Sequence, residues 1–131
     1  KENPLFIVDG SHNPQGVAAL VDTLKRNYPE ERFIFIMAAM ADKDAAHMIS
    51  GTKEIAERYI CLKADTPRSI SAEALSDMVK TPGAEALTAG SVSEAIKVAL
   101  NTRKPVVAFG SLYLAGEILA ESKSLQTFDQ L

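Results

Sequence analysis

Residues 5 to 14 read Leu5-Phe6-Ile7-Val8-Asp9-Gly10-Ser11-His12-Asn13-Pro14. Four consecutive apolar residues, without alternation, suit a strand buried on both faces, the pattern of a parallel sheet. Asp9-Gly10 ends the run with a turn signal. Asn13 followed by Pro14 suits a helix start, because the Asn side chain can accept a free N–H and proline needs none at the first helical position. From there Val17, Leu20, Val21 and Leu24 recur at helical spacing, with Lys25 and Arg26 near the end, where cations favour the helix dipole. The stretch spells strand, tight loop, helix.

The same unit recurs downstream. Residues 32–39 (RFIFIMAA) form a second strand, followed by a helical region from Asp44 to Arg58 (DAAHMISGTKEIAER), interrupted or ended near Gly51. Tyr59-Ile60-Cys61-Leu62 is the third strand. Ser71 fits the N-cap of a helix over residues 72–79, which Thr81-Pro82-Gly83 terminates. Glu85 to Thr88 reads as a weak fourth strand, and Ser91-Val92-Ser93-Glu94 has capping-box spacing ahead of a helix carrying Val92, Ala95, Ile96, Ala99 and Leu100 on one face. Pro105-Val106-Val107-Ala108-Phe109 is the last and most apolar strand. Gly110-Ser111 opens a helix through Ile118 and Leu119, with a polar, fraying tail from Ser122. Five strand-helix pairs in series predict an α/β, Rossmann-like fold: a mostly parallel sheet with helices on both faces. Ligands of such sheets bind beyond the carboxyl ends of the strands, so the residues after each strand are the candidate site.

The 131 residues, 47% hydrophobic and 24% charged, are those of one globular domain with enough core to need no metal or disulfide. Cys61 is the single cysteine and cannot make an internal bridge, which favours a cytoplasmic setting. A net charge of -3 with scattered basic residues argues against a nucleic-acid partner. No apolar run approaches the roughly 20 residues that span a bilayer, so no membrane partner is expected. The chain opens on Lys1 with a strand close behind, and is read as cut from a longer protein.

Several residues at the carboxyl edge bear chemistry. Asp9 and His12, beside a helix N-terminus, could seat a ligand carrying both carboxylate and ammonium groups; an Asx-turn and a surface histidine are the structural alternatives. Lys43, between Asp42 and Asp44, could hold an anion, or the three could be capping residues on a solvated face. Magnesium binding by Asp42 and Asp44 alone is weakly signalled, and no metal site is assigned. Arg68, in Asp65-Thr66-Pro67-Arg68, offers a planar fork to a carboxylate or phosphate, or sits idle after a turn. Ser111 could present a hydroxyl and an N–H to an anion, or cap a helix. His47, Met37, Met40 and Met48 read as surface or packing residues. There is no Gly-Lys pair, hence no P-loop, no dinucleotide fingerprint at the first turn, and no nucleophile elbow around Ser111.

Taken in order, Leu5-Phe6-Ile7-Val8-Asp9-Gly10-Ser11-His12-Asn13-Pro14, Ala41-Asp42-Lys43-Asp44, Asp65-Thr66-Pro67-Arg68 and Phe109-Gly110-Ser111-Leu112-Tyr113-Leu114-Ala115-Gly116-Glu117 resemble the C-terminal domain of the folylpolyglutamate synthase and dihydrofolate synthase family. Ser11 stands where that family usually has Ala, and Ala38 near a usual Gly. The resemblance implies a single C-terminal domain, residues 1–131, of an enzyme whose N-terminal P-loop domain holds ATP and Mg2+ and most of a reduced-folate site. ATP there phosphorylates a folate carboxylate, and the amine of L-glutamate attacks the acyl phosphate. Carried over residue by residue, Asp9 and His12 match positions needed for glutamate use and are taken as catalytic. His12, Lys43 and Ser111, with Arg68 less directly, are taken as substrate-binding. The isolated domain is expected to be inactive. The alternatives are the C-terminal domain of a peptidoglycan-precursor (Mur) ligase and a non-catalytic α/β binding or receiver module.

Overall fold

All five residues of Phe33–Met37 are buried, and this strand, β2, lies at the centre of a five-stranded sheet. In the computed structural model, residues 5–41, 44–80 and 84–125 are described, with side chains to Glu121. The elements are β1 (Phe6–Val8), α1 (Pro14–Asn27), β2, α2 (Asp44–Thr52), β3 (Ala56–Cys61), α3 (Ala72–Lys80), β4 (Ala86–Thr88), α4 (Val92–Asn101), β5 (Val106–Phe109) and α5 (Leu112–Leu125). The strand order is β1-β5-β2-β3-β4 and every pairing is parallel, as the unalternating apolar runs predict.

Side chains of β2 alternate between two cores. Phe33, Phe35 and Met37 join α1, α2 and α3 on one face; Ile34 and Ile36 join α4 and α5 on the other. Phe35 anchors the first core, its ring 5.3 Å from Phe109 and 5.7 Å from Tyr59. The chain steps from β1 to β4 with α1, α2 and α3 on one face, then crosses back under α4 and inserts β5 between β1 and β2. The helix after β5 therefore leaves to the face opposite those after β1 and β2. That divergence makes the carboxyl end of β5 the topological switch point, the place where sheets of this kind bind ligands in a crevice.

Four local expectations change. Residues 56–58 belong to β3, not to the second helix: α2 stops at Thr52, a 3-10 turn spans Lys53–Ile55, and the strand begins at Ala56. Helix propensity in Ala-Glu-Arg yields to sheet pairing, since Phe33 and Ile34 pair with Ala56 and Arg58 around a register shift. Thr52 marks the stop, its buried hydroxyl bonded to Ile49 O (3.0 Å) and the Tyr59 hydroxyl (2.5 Å). β1 is only half-buried: among the described residues it is an edge strand, paired on one side by β5. The capping box is shifted: Ser91 Oγ accepts from Glu94 N at 3.1 Å, but Glu94 Oε1 accepts from Gly90 N at 2.8 Å rather than from Ser91. The last helix runs on past Ser122 to Leu125. Thr81, Pro82 and Gly83 lie outside the described residues, and burial pushes the Tyr59 phenol and the Cys61 thiol each up to about 12.

Candidate functional site

The loop after β1 begins where the sheet ends. Asp9 N donates to Ala108 O at 2.9 Å, extending the β1–β5 pairing by one bond. The Asp9 carboxylate then folds back: Oδ1 accepts from Ser11 N at 2.7 Å and from the Ser11 hydroxyl. The Asx-turn is thus present, and it holds the carboxylate in place rather than using it up. Asn13 caps α1, Oδ1 accepting from Gly16 N at 2.8 Å, with Pro14 in the first turn. His12 projects into solvent with Nδ1 3.1 Å from Gly10 O. That contact is a hydrogen bond if Nδ1 carries the proton, which leaves the Nε2 lone pair outward.

The loop after β5 is held against both neighbours. Gly110 adopts φ 107°, and a Cβ there would lie 2.1 Å from Ala38 O, at the end of β2. No other residue fits. Gly110 N donates to Ser11 O at 2.7 Å, so the β1, β5 and β2 loops touch at this glycine. Ser111 is 2% exposed, and its Oγ accepts from Tyr113 N (3.1 Å) and Leu114 N (3.2 Å). Ser111 caps α5, therefore, and does not hold its hydroxyl out to solvent. The N-termini of α1 and α5, each with partial positive charge, start from these two bonded loops at the switch point.

Arg68 lies in the loop that follows β3. Its side chain is exposed, while its carbonyl accepts from Ala41 N at 2.7 Å, tying the β3 loop to the end of β2. Ser69, not anticipated from the sequence, makes that tie: its buried hydroxyl accepts from Ala64 N (2.9 Å) and lies 3.3 Å from Ala39 O. Lys43 and Asp42 fall outside the described residues. The structure puts Asp9, His12 and Ser111 on two loops bonded to each other, and Arg68 on the same edge in a loop bonded to the end of β2.

Glu117, also unanticipated as a site group, sits on the second turn of α5. Its Oε1 is buried without a hydrogen-bond partner among the described residues. Burial lifts its carboxyl above the usual carboxylate range; the Asp65 backbone opposes the shift and the Asp65 charge adds to it. No sequence spacing marks this pair, which lies 52 residues apart. Among the described residues no three His, Cys, Asp or Glu gather to hold a metal ion. A shallow, open depression lined by Arg32, Lys53, Glu57, Arg58 and Glu85 lies at the opposite, amino end of the strands.

Known proteins resemble the chain over most of its length. Residues 1–112 match the family described as Mur ligase, glutamate ligase domain. The folylpolyglutamate synthase of Lacticaseibacillus casei is 35% identical over 124 residues, which cover 89% of this chain and 27% of that protein. E. coli FolC, solved in complex with DHPP and ADP, superposes with a TM-score of 0.85 at 22% identity over 97% of this chain and 30% of its own. The bifunctional folylpolyglutamate synthase/dihydrofolate synthase of Yersinia pestis, complexed with AMPPNP and Mn ion, gives 0.82 at 25% identity over 94% of this chain and 30% of its own. The chain thus spans less than a third of the length of these relatives. With residues 1–112 matched and the parallel sheet shared, the chain belongs to the Mur ligase, glutamate ligase domain family.

Proposed function

We propose that this chain is the C-terminal domain of an ATP-dependent folylpolyglutamate synthase, and that its switch-point crevice binds and orients L-glutamate for attack on a folate acyl phosphate. One observation carries the reading: in a family described as a glutamate ligase domain, the β1 and β5 loops are bonded together so that Asp9 and His12 stand beside two helix N-termini. A carboxylate held through Oδ1 can receive the ammonium of an amino acid with its other oxygen. The helix N-termini, with Lys43 and the fork of Arg68, suit its carboxylates.

The division of labour follows from what this chain contains. It has no P-loop, so ATP and Mg2+ and most of the reduced folate are assigned to a preceding P-loop domain. When bound there, the nucleotide supplies the phosphoryl group that activates the folate carboxylate. Asp9 and His12 hold the glutamate amine against that centre, and Ser111 fixes the α5 terminus beside it. Orientation of this kind lowers barriers by several kcal/mol in well-placed systems. Closing the two domains excludes water that would hydrolyse the acyl phosphate. No described helix is long and apolar enough to cross a membrane, and we place the enzyme in the cytoplasm.

The test is steady-state kinetics of the full-length enzyme carrying His12→Ala. Apparent KM for L-glutamate should rise while KM for ATP stays unchanged. An unaltered glutamate KM would sink the assignment of His12.

A further inference from the structure

The outward face of α5 is apolar over its first nine residues, Leu112 to Ala120. At 100° per residue, Leu112, Tyr113, Gly116, Leu119 and Ala120 fall within one third of the helix circumference, and none carries a charge. Leu112, Tyr113 and Leu119 are 61%, 54% and 54% exposed, and Leu87 is the one other large apolar residue so exposed among the described residues. Gly116 has nothing within 4 Å of where a Cβ would stand, so the strip is open at its middle. The other helices behave differently. α3 turns Glu73, Asp77 and Lys80 outward, and α4 turns out Glu94 and Lys97. Leu114 and Ile118 already bury the inner face of α5, so the outer residues are not needed for this domain's core. A contiguous apolar strip beside a polar site is the usual mark of an interaction surface.

Position decides the occupant. α5 packs across β5 and the edge strand β1, and its first turn abuts the candidate site: a Cβ on Gly10 would lie 2.9 Å from Leu112 Cδ2. The strip therefore runs along the open edge of the sheet from the crevice towards the end where β1 begins. More than two-thirds of the length of the relatives lies outside the matched region.

We infer that the Leu112-Gly116-Leu119 face of α5 is the seat on which the preceding domain of the same polypeptide docks, steering it onto the crevice at Asp9 and His12. This rests on the reading of the chain as a C-terminal domain. The partner surface should be apolar, with an aromatic or aliphatic group entering the gap over Gly116.

Hydroxyl-radical footprinting of the full-length protein reads the contact directly. Tyr113 and Leu119 should be modified several-fold more slowly than in residues 1–131 alone, with His47 on α2 unchanged. If residues 1–131 do not fold alone, full-length Leu119→Glu serves as the reference, and Tyr113 should gain exposure there while full-length Lys97→Glu leaves it protected. Equal rates with and without the preceding domain, or no response of Tyr113 to Leu119→Glu, would overturn the inference. Protection that develops in residues 1–131 with rising concentration would mean that a second copy covers the face, and would overturn it too. Footprints and the glutamate KM of His12→Ala are read separately, so a failed function and a failed docking surface give different results.

Discussion

The loop after β1 leaves His12 in solvent and Asp9 half-exposed, whereas the loop after β5, joined to it by the bond from Gly110 N to Ser11 O, keeps Ser111 at 2% exposure. Both loops cap a helix, Asn13 for α1 and Ser111 for α5. The difference comes from strand position. Among the described residues β1 is an edge strand with one neighbour, while β5 lies between β1 and β2 and its loop is walled on both sides. The enclosed loop sets the geometry of the crevice, and the open one presents groups that can meet a ligand. A site built this way is rigid where it is assembled and accessible where it acts.

The largest effect should come from the point where the loops touch. Gly110→Ala places a Cβ 2.1 Å from a backbone carbonyl at φ 107°, so β2 or β5 must shift. We expect a loss of about 3 kcal/mol or more by urea denaturation, from the combined steric and backbone strain. Gly10→Ala, whose Cβ would meet only the end of the exposed Leu112 side chain at 2.9 Å, should lose under about 1 kcal/mol. Equal losses at the two glycines would break the contrast between an enclosed and an open loop.

The two caps give a smaller and finer reading. Asn13→Ala should cost about 0.5–1 kcal/mol, since water can reach the freed Gly16 N–H on the open side. Ser111→Ala should cost about 1–2 kcal/mol, because Tyr113 N and Leu114 N lose an acceptor where the loop is buried. Thermal or urea unfolding of both variants checks the order. An Asn13 cap worth more than the Ser111 cap would reverse the comparison.

Much of this architecture was legible before any coordinates. The parallel sheet followed from apolar runs without alternation, and the caps at Asn13, Ser71 and Ser91 from residue type and spacing. Strand order was not legible, because nothing local says that β5 inserts between β1 and β2. That insertion decides everything about exposure: it makes β1 an edge and buries Ser111. The β3 boundary failed for a related reason, since Ala56-Glu57-Arg58 prefers helix until β2 offers a partner. In the site, Asp9 and His12 were candidates by residue type after a strand, with a surface histidine the competing reading until the family resemblance singled them out. Ser69 and Glu117 were not candidates, because their roles depend on contacts with residues 39, 64 and 65 that only the fold creates.

The smallest predicted effect probes the enclosed side by pH. Glu117 lies on α5 beyond the Ser111 cap, with Oε1 buried and its carboxyl raised chiefly by desolvation. A folded-state value above the unfolded one favours the protonated form in the fold. The stability so gained is complete below the unfolded value and is lost as pH rises through the folded one. At neutral pH the charged form is the one at a disadvantage, and Glu117→Gln, neutral and of the same shape, removes that disadvantage. The variant should be modestly more stable than the parent at pH 7, with the gap narrowing as pH falls towards 4. Urea midpoints across that range check it. A variant less stable at pH 7, with a difference independent of pH, would mean that the α5 side solvates its charge as freely as the β1 loop does. The contrast between the two loops would then stop at Ser111 instead of extending into the helix.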